Sequence, residues 1–210
     1  MKIQSQSTCR APGFSLLEVL VVLVIATVLV TAALFQVKTA LRSSSADTAL
    51  ATALTQMQNA HQRAIDERNV FRLTFIPAAG PPAISSVRLE EAQAGPGGPT
   101  YTLVSSIALP SDMQFLNVPG IPTSSTPDGF GDGSAAINFA INAGGDPTQI
   151  YFQPDGRALT QTGEVANGVV YIARPGDLLS SRAVSMYGAT GRCKRWRLVS
   201  LSDGGTAWSS

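Results

Sequence analysis

Residues 13–35 read GFSLLEVLVVLVIATVLVTAALF: a small residue, an aromatic, then an almost unbroken aliphatic run that holds one carboxylate, Glu18. From Val19 to Phe35 only Thr27 and Thr31 are not apolar, and about 20 such residues suffice to cross the hydrocarbon core of a bilayer as a helix. The run therefore predicts a membrane span over 14–35. A carboxylate near such a span costs about 2.5–3.5 kcal/mol at the bilayer centre and is retained where a partner or a function compensates for it. Glu18 asks for a cation.

Outward from this stretch, residues 1–13 carry two cations, Lys2 and Arg10, and no acid. A charged start followed by an apolar run has the outline of a secretory signal peptide. The run is long for such a core, however, no small-x-small cleavage pattern closes it, and helical patterning continues beyond it. It is expected to stay in the mature protein. Cations precede the run and none follows until Lys38, which places the N-terminus in the cytoplasm and the remainder outside. Between Gln36 and Arg68 there is no Gly or Pro, and Leu50, Leu54, Met57, Ala60, Ala64 and Ile65 recur with helical spacing. The helix is predicted to continue through 36–68, with Ser43, Ser44 and Ser45 as the place for a bend or local loosening, because serines compete for backbone hydrogen bonds. His61 falls on the inward face with no Cys or second His beside it, and reads as a packed or edge histidine rather than a metal ligand.

After Asn69 the period changes. Short runs rich in β-branched and aromatic residues at 70–76, 84–89, 101–109, 113–118, 137–141, 149–152, 169–173 and 183–187 read as strands. Between them stand GPP, GPGGP, PGIP, PDGFGDG, GGDP and PDG, all turn punctuation. The pattern predicts an antiparallel β domain of about seven to nine strands that buries the apolar stripe of the helix. The fold class is α+β, a long N-terminal helix packed on an antiparallel β domain.

The 210 residues allow one membrane anchor and one globular domain. Charged side chains make up 14% of the chain, and the net charge is +1. Without Lys2 and Arg10 the balance becomes 13 basic against 14 acidic side chains, so bulk attraction to nucleic acid is excluded and only a local patch could supply it. Of the two cysteines, Cys9 precedes the apolar run and Cys193 lies near the C-terminus. Cys193 reads as a small apolar strand residue, and the domain is expected to rest on its core rather than on disulfides. Asp128 and Asp132 lie in a glycine-rich loop, but their spacing does not match a full oxygen-ligand loop for calcium. The chain holds no set of nucleophile, base and orienter, no phosphate-cradling loop and no zinc spacing. The expectation is a protein that is not an enzyme and has no cofactor or metal.

Gly13-Phe14-Ser15-Leu16-Leu17-Glu18 resembles the processing site of type IV pilins and type II secretion pseudopilins. The resemblance implies that a prepilin peptidase cuts between Gly13 and Phe14 and N-methylates Phe14, and that Glu18 serves filament assembly. It divides the chain into a cleaved leader (1–13), a transmembrane helix (14–35), its periplasmic continuation (36–68) and a β-rich domain (69–210), arranged as a pilin-like lollipop. The physical chemistry agrees. Cleavage creates an α-ammonium at Phe14, with which a neighbouring subunit's Glu18 could pair in apolar surroundings, and Glu18 lies in the first helical turn, where the macrodipole favours negative charge. Unlike many major pilins, this chain has no proline in the membrane half.

Two further stretches, Tyr151-Phe152-Gln153-Pro154-Asp155-Gly156-Arg157 and Arg182-Ala183-Val184-Ser185 leading to Thr190-Gly191-Arg192-Cys193-Lys194, are similar to the GspH/FimT branch of minor pseudopilins. As structure alone, Pro154-Asp155-Gly156 is a hairpin turn. The run Gly191-Arg192-Cys193-Lys194-Arg195-Trp196-Arg197 is the one basic patch of the sequence. It resembles a Gly-Arg-x-Arg motif with which some FimT-branch members bind DNA, although Lys194 lacks the bidentate fork of arginine. In a strand, Arg195 and Arg197 share one face, and Arg192, Lys194 and Trp196 the other. Two readings stay open for Arg192, Lys194, Arg195 and Arg197: a solvated strand or contact to a neighbouring pseudopilin, and a DNA-binding patch. The resemblance implies a GspH-type minor pseudopilin, single-pass in a bacterial inner membrane with its C-terminal domain periplasmic. It would assemble with other pseudopilins at the tip of a filament that drives protein export. The alternative is a FimT/FimU-like minor type IV pilin, contributing to pilus assembly or DNA uptake.

Overall fold

The computed structural model describes residues 16–210 apart from 81–82, 124, 132, 141–143 and 203, and leaves the side chains of 32–41 undescribed. Gly13 and Phe14 thus lie outside the described residues. The chain divides into two compact units, Met1–Leu41 and Arg42–Ser210.

Helix α1 is Leu16–Asp66. In the first unit the side chains of residues 16–31 are all exposed, Leu16 at 84% and Leu29 at 64%. Among the described residues no helix is long and apolar enough to cross a membrane. The span predicted at 14–35 includes residues 14–15 and 32–35, whose side chains are not described.

In the second unit α1 buries Ala46, Ala49, Leu50, Ala53, Met57, Ala60 and Ala64. The three-and-four spacing places these residues on one face, and their small size lets the backbone approach the sheets. Leu50, Met57, Ala60 and Ala64 of the predicted stripe are buried as expected, and Ala46, Ala49 and Ala53 extend the face. Leu54 packs only partly against the core, and Ile65 is 38% exposed. Ser43, Ser44 and Ser45, expected as the place for a bend or local loosening, lie within the continuous helical run of α1. The Ser45 hydroxyl turns outward and donates to Asp112 Oδ1 at 2.5 Å. The helix stops at Asp66, short of the predicted Arg68, after a last Glu67 N–H to Arg63 carbonyl bond of 2.9 Å. Arg68 takes φ of 50°, a left-handed residue that breaks the helix and turns the chain toward the first strand.

Eleven strands follow among the described residues, all antiparallel, against about seven to nine expected. One sheet has the order β3 (Thr100–Ala108), β2 (Ser86–Gln93), β1 (Phe71–Ile76), β6 (Gln149–Phe152), β7 (Ala158–Leu159). The other has the order β11 (Thr206–Ser209), β10 (Arg192–Ser200), β9 (Asp177–Tyr187), β8 (Gly168–Arg174), β4 (Gln114–Phe115), with β5 (Ile137–Asn138) also paired to β8. The main core joins the α1 face to Phe71, Leu73, Phe75, Val87 and Leu89 of the first sheet and to Val170, Ile172, Val184 and Met186 of the second. The opposite face of the second sheet, through Val169, Tyr171, Ala173 and Ala183, forms a smaller core with Val118, Ile121 and Leu198. Strand β8 reads as a continuous apolar run because both of its faces are buried. At the far side of the first sheet, β3 is an edge strand, TYTLVSSIA, with no charged residue and no proline; its Leu103 is 57% exposed.

An ionic cluster fastens the start of the packed helix. The Arg174 guanidinium donates to Asp112 Oδ2 through Nε at 3.1 Å, to Asp177 Oδ2 at 3.1 Å and to the Arg42 carbonyl at 3.2 Å. Burial works to raise the Asp112 carboxyl, but hydrogen bonds from Ser45 and Arg174 together with the Arg174 charge hold it below the usual carboxylate range. A carboxylate depressed in the folded state contributes stability above its unfolded pKa, near 4, and that stability is lost as pH falls through the folded value. Denaturant midpoints of the wild type should therefore fall on acidification below about pH 4. Asp112→Asn should be less stable at neutral pH and show a shallower fall, the two curves converging at low pH. Parallel curves over that window would remove this role from Asp112.

Candidate functional site

The C-terminal resemblances converge on α1. The Pro154-Asp155-Gly156 turn carries Gly156 at φ 83°, and the turn before β10 carries Gly191 at φ 64°. Both glycines sit at His61: its Nε2 lies 3.0 Å from the Gly156 carbonyl, and its ring meets Phe152 edge-on at 6.0 Å. A Cβ on Gly191 would lie 2.5 Å from His61 Nε2 and 2.7 Å from the Gly156 oxygen, inside any real contact. His61 is thus a packed histidine, and the two glycines are the residues that let both turns close on it.

Arg182 of β9 is 1% exposed. Its Nε donates to Asp47 of α1 at 2.7 Å, and its Nη1 to the carbonyls of Leu179 and Ser181 at 3.2 and 3.1 Å. An arginine so deeply buried is tolerated because its charge is paired with Asp47 and its Nη1 donates to two carbonyls. Cys193 packs against the main core, and burial pushes its thiol up to about 12, which makes it an inert strand residue.

β10 distributes the basic run over two faces. Lys194 and Trp196 lie on the side of the smaller core. The Lys194 ammonium is 3.9 Å from the Trp196 ring centroid and 3.5 Å from Asp128 Oδ1. Asp128, at φ 53° in a 3-10 turn at Pro127–Gly129, also accepts from the Ser185 hydroxyl, and Trp196 Nε1 donates to that hydroxyl at 2.9 Å. Asp128 is thereby engaged within the fold; Asp132 lies outside the described residues. Arg192 is exposed opposite Tyr187. Arg195 and Arg197 are exposed on the face turned to α1, with Arg197 directly across from Arg182. Of the four cations, then, the structure brings Arg195 and Arg197 together and holds Lys194 apart. Beside them an open groove of about 770 Å³ runs between α1 and the β10–β11 end of the second sheet. Sequence reading did not identify this groove, because it arises where strands extend past a helix more than 100 positions earlier in the chain.

At the other end, Glu18 lies in the first turn of α1, flanked by the exposed aliphatic side chains of Leu17 and Val19. Residues 10–34 match the prokaryotic N-terminal methylation motif. This prepilin signal takes in Gly13, Phe14 and Glu18, and it is consistent with processing by a prepilin peptidase and assembly with other pilins. No curated protein and no solved structure matches the chain. The prepilin signal therefore speaks for the N-terminal segment, and the β domain is read from its own geometry. Among the described residues no group of three or more His, Cys, Asp or Glu side chains is placed to hold a metal ion.

Proposed function

We propose that the chain is a minor pseudopilin of the GspH type, a membrane-anchored subunit of a type II secretion pseudopilus that works by assembly and not by catalysis. The observation that carries this reading is the prepilin signal at residues 10–34 ahead of a helix whose later part packs through an alanine face onto a two-sheet antiparallel domain. In this reading the α-ammonium freed at Phe14 is met by Glu18 of an adjacent subunit, so each acid is neutralised as the apolar helices gather. Mass spectrometry of the membrane-extracted protein should find an N-terminus at N-methylated Phe14, and a chain beginning at Met1 would sink the proposal. Glu18→Ala should be processed normally yet fail to co-purify with the other pseudopilins; normal assembly would remove the role given to that acid. The FimT/FimU-like alternative draws on the exposed Arg192, Arg195 and Arg197, and Lys194, held by Asp128 and Trp196, weighs against it.

A further inference from the structure

The groove between α1 and β10–β11 has two unlike walls. On the helix side stand Leu50, Ala51 and Leu54; on the sheet side stand Arg195 and Arg197, with the buried Arg182 at the base paired to Asp47. Among the side chains of the lining, three guanidiniums stand against one carboxylate. Asp47 is committed to Arg182, and among the described residues the side chains of Arg195 and Arg197 have no hydrogen-bond or ion-pair partner. Its volume of about 770 Å³ lies within the range of clefts that enclose a specific ligand, about 300–1,000 Å³.

We infer that this groove is a docking site for an extended segment of another protein in which acidic and apolar residues alternate. In an extended chain, residues two apart point the same way at about 6.6–6.8 Å spacing, which is also the spacing of Arg195 and Arg197 along β10. One edge of such a segment presents carboxylates to the two guanidinium forks, while the other lays apolar side chains on Leu50, Ala51 and Leu54. The chain's own segments do not fit the part: no two of its acidic residues stand two positions apart, so none of its stretches presents two carboxylates on one edge when extended. The occupant is therefore a different protein. Nucleic acid fits the walls poorly, since the helix side is apolar and carries Asp47, and the nearby Lys194 faces the opposite side of the sheet. The groove lies wholly in the second unit, and its chemistry stands whatever the N-terminal signal directs.

The test uses the detergent-solubilised full chain and fluorescence anisotropy with three labelled probes: an eight-residue peptide of alternating leucine and glutamate, its leucine–glutamine counterpart, and a single-stranded oligothymidine. The glutamate peptide should bind at least tenfold more tightly than the glutamine peptide. Binding should fall at least tenfold in Arg195→Gln/Arg197→Gln, fall similarly in Leu54→Arg, which places a charge on the apolar wall, and be unchanged in Arg192→Gln. Circular dichroism confirms that each variant is folded. Equal binding of the two peptides, survival of binding in the double variant, or oligothymidine binding that is lost with Arg195 and Arg197 would each overturn the assignment.

Discussion

Gly191→Ala is expected to lower stability by about 3 kcal/mol, the sum of a left-handed backbone forced on a residue with a Cβ and of overpacking against fixed neighbours. The added methyl meets the His61 ring and the Gly156 carbonyl together, and the carbonyl is backbone that cannot step aside. Gly156→Ala carries the same kind of φ penalty, but its Cβ would lie an acceptable 3.4 Å from His61 Nε2, so it should cost about 1 kcal/mol. In a His61→Ala background part of the Gly191→Ala loss should be recovered, because the ring contact goes while the carbonyl contact and the φ penalty stay. Urea denaturation of the wild type, the three single variants and the His61→Ala/Gly191→Ala double variant measures this directly. If Gly191→Ala were as stable as the wild type, the glycine would have to be explained by contact with a ligand instead.

The second large effect concerns Arg182 and Asp47, and its sign is asymmetric. Removing one member of a buried ion pair costs about 3–5 kcal/mol, because it leaves a charge out of water without a partner. Asp47 is 52% exposed and Arg182 only 1%, so the two deletions differ. Asp47→Ala strands a buried guanidinium on two carbonyls, softened by the water that reaches the site, and should cost about 2–3 kcal/mol. Arg182→Met fills the space with an apolar chain and leaves Asp47 free to face solvent, at a cost below about 1 kcal/mol. Equal losses in the two variants would mean that the pair contributes by attraction alone.

These two sites mark the limit of what can be read from residues in a row. All eight predicted strand stretches overlap strands of the structure, as 70–76 does β1 and 149–152 does β6, because their apolar patterning and turn signals lie within a few residues of one another, and the helix announces itself by its lack of Gly and Pro. β7 was too short to carry a pattern, and β10 reads as a basic run because its charges hide the alternation. The N-terminal part of the alanine face escapes the pattern for a similar reason: Ala46, Ala49 and Ala53 have little hydropathy, and their value lies in allowing close approach. Gly191 stood out as part of a motif, yet its structural reason is a histidine 130 positions away. The burial of Arg182 and the groove beside it depend on which strands neighbour the helix, which no local spacing encodes. The N-terminal signal is the opposite case, since its whole meaning is carried by contiguous residues.

Strand β3 has a consequence of a different kind. Its nine residues leave one side of the first sheet, among the described residues, with a row of unmatched backbone donors and acceptors, and no lysine, glutamate or proline to discourage another strand. Concentration then becomes a hazard in its own right. Two copies need only meet edge to edge for a ladder to begin, so the lifetime of the free protein in solution is set by collision rate as much as by its folding equilibrium. A single lysine placed on that edge, as in Ser106→Lys, would lengthen that lifetime without touching the core.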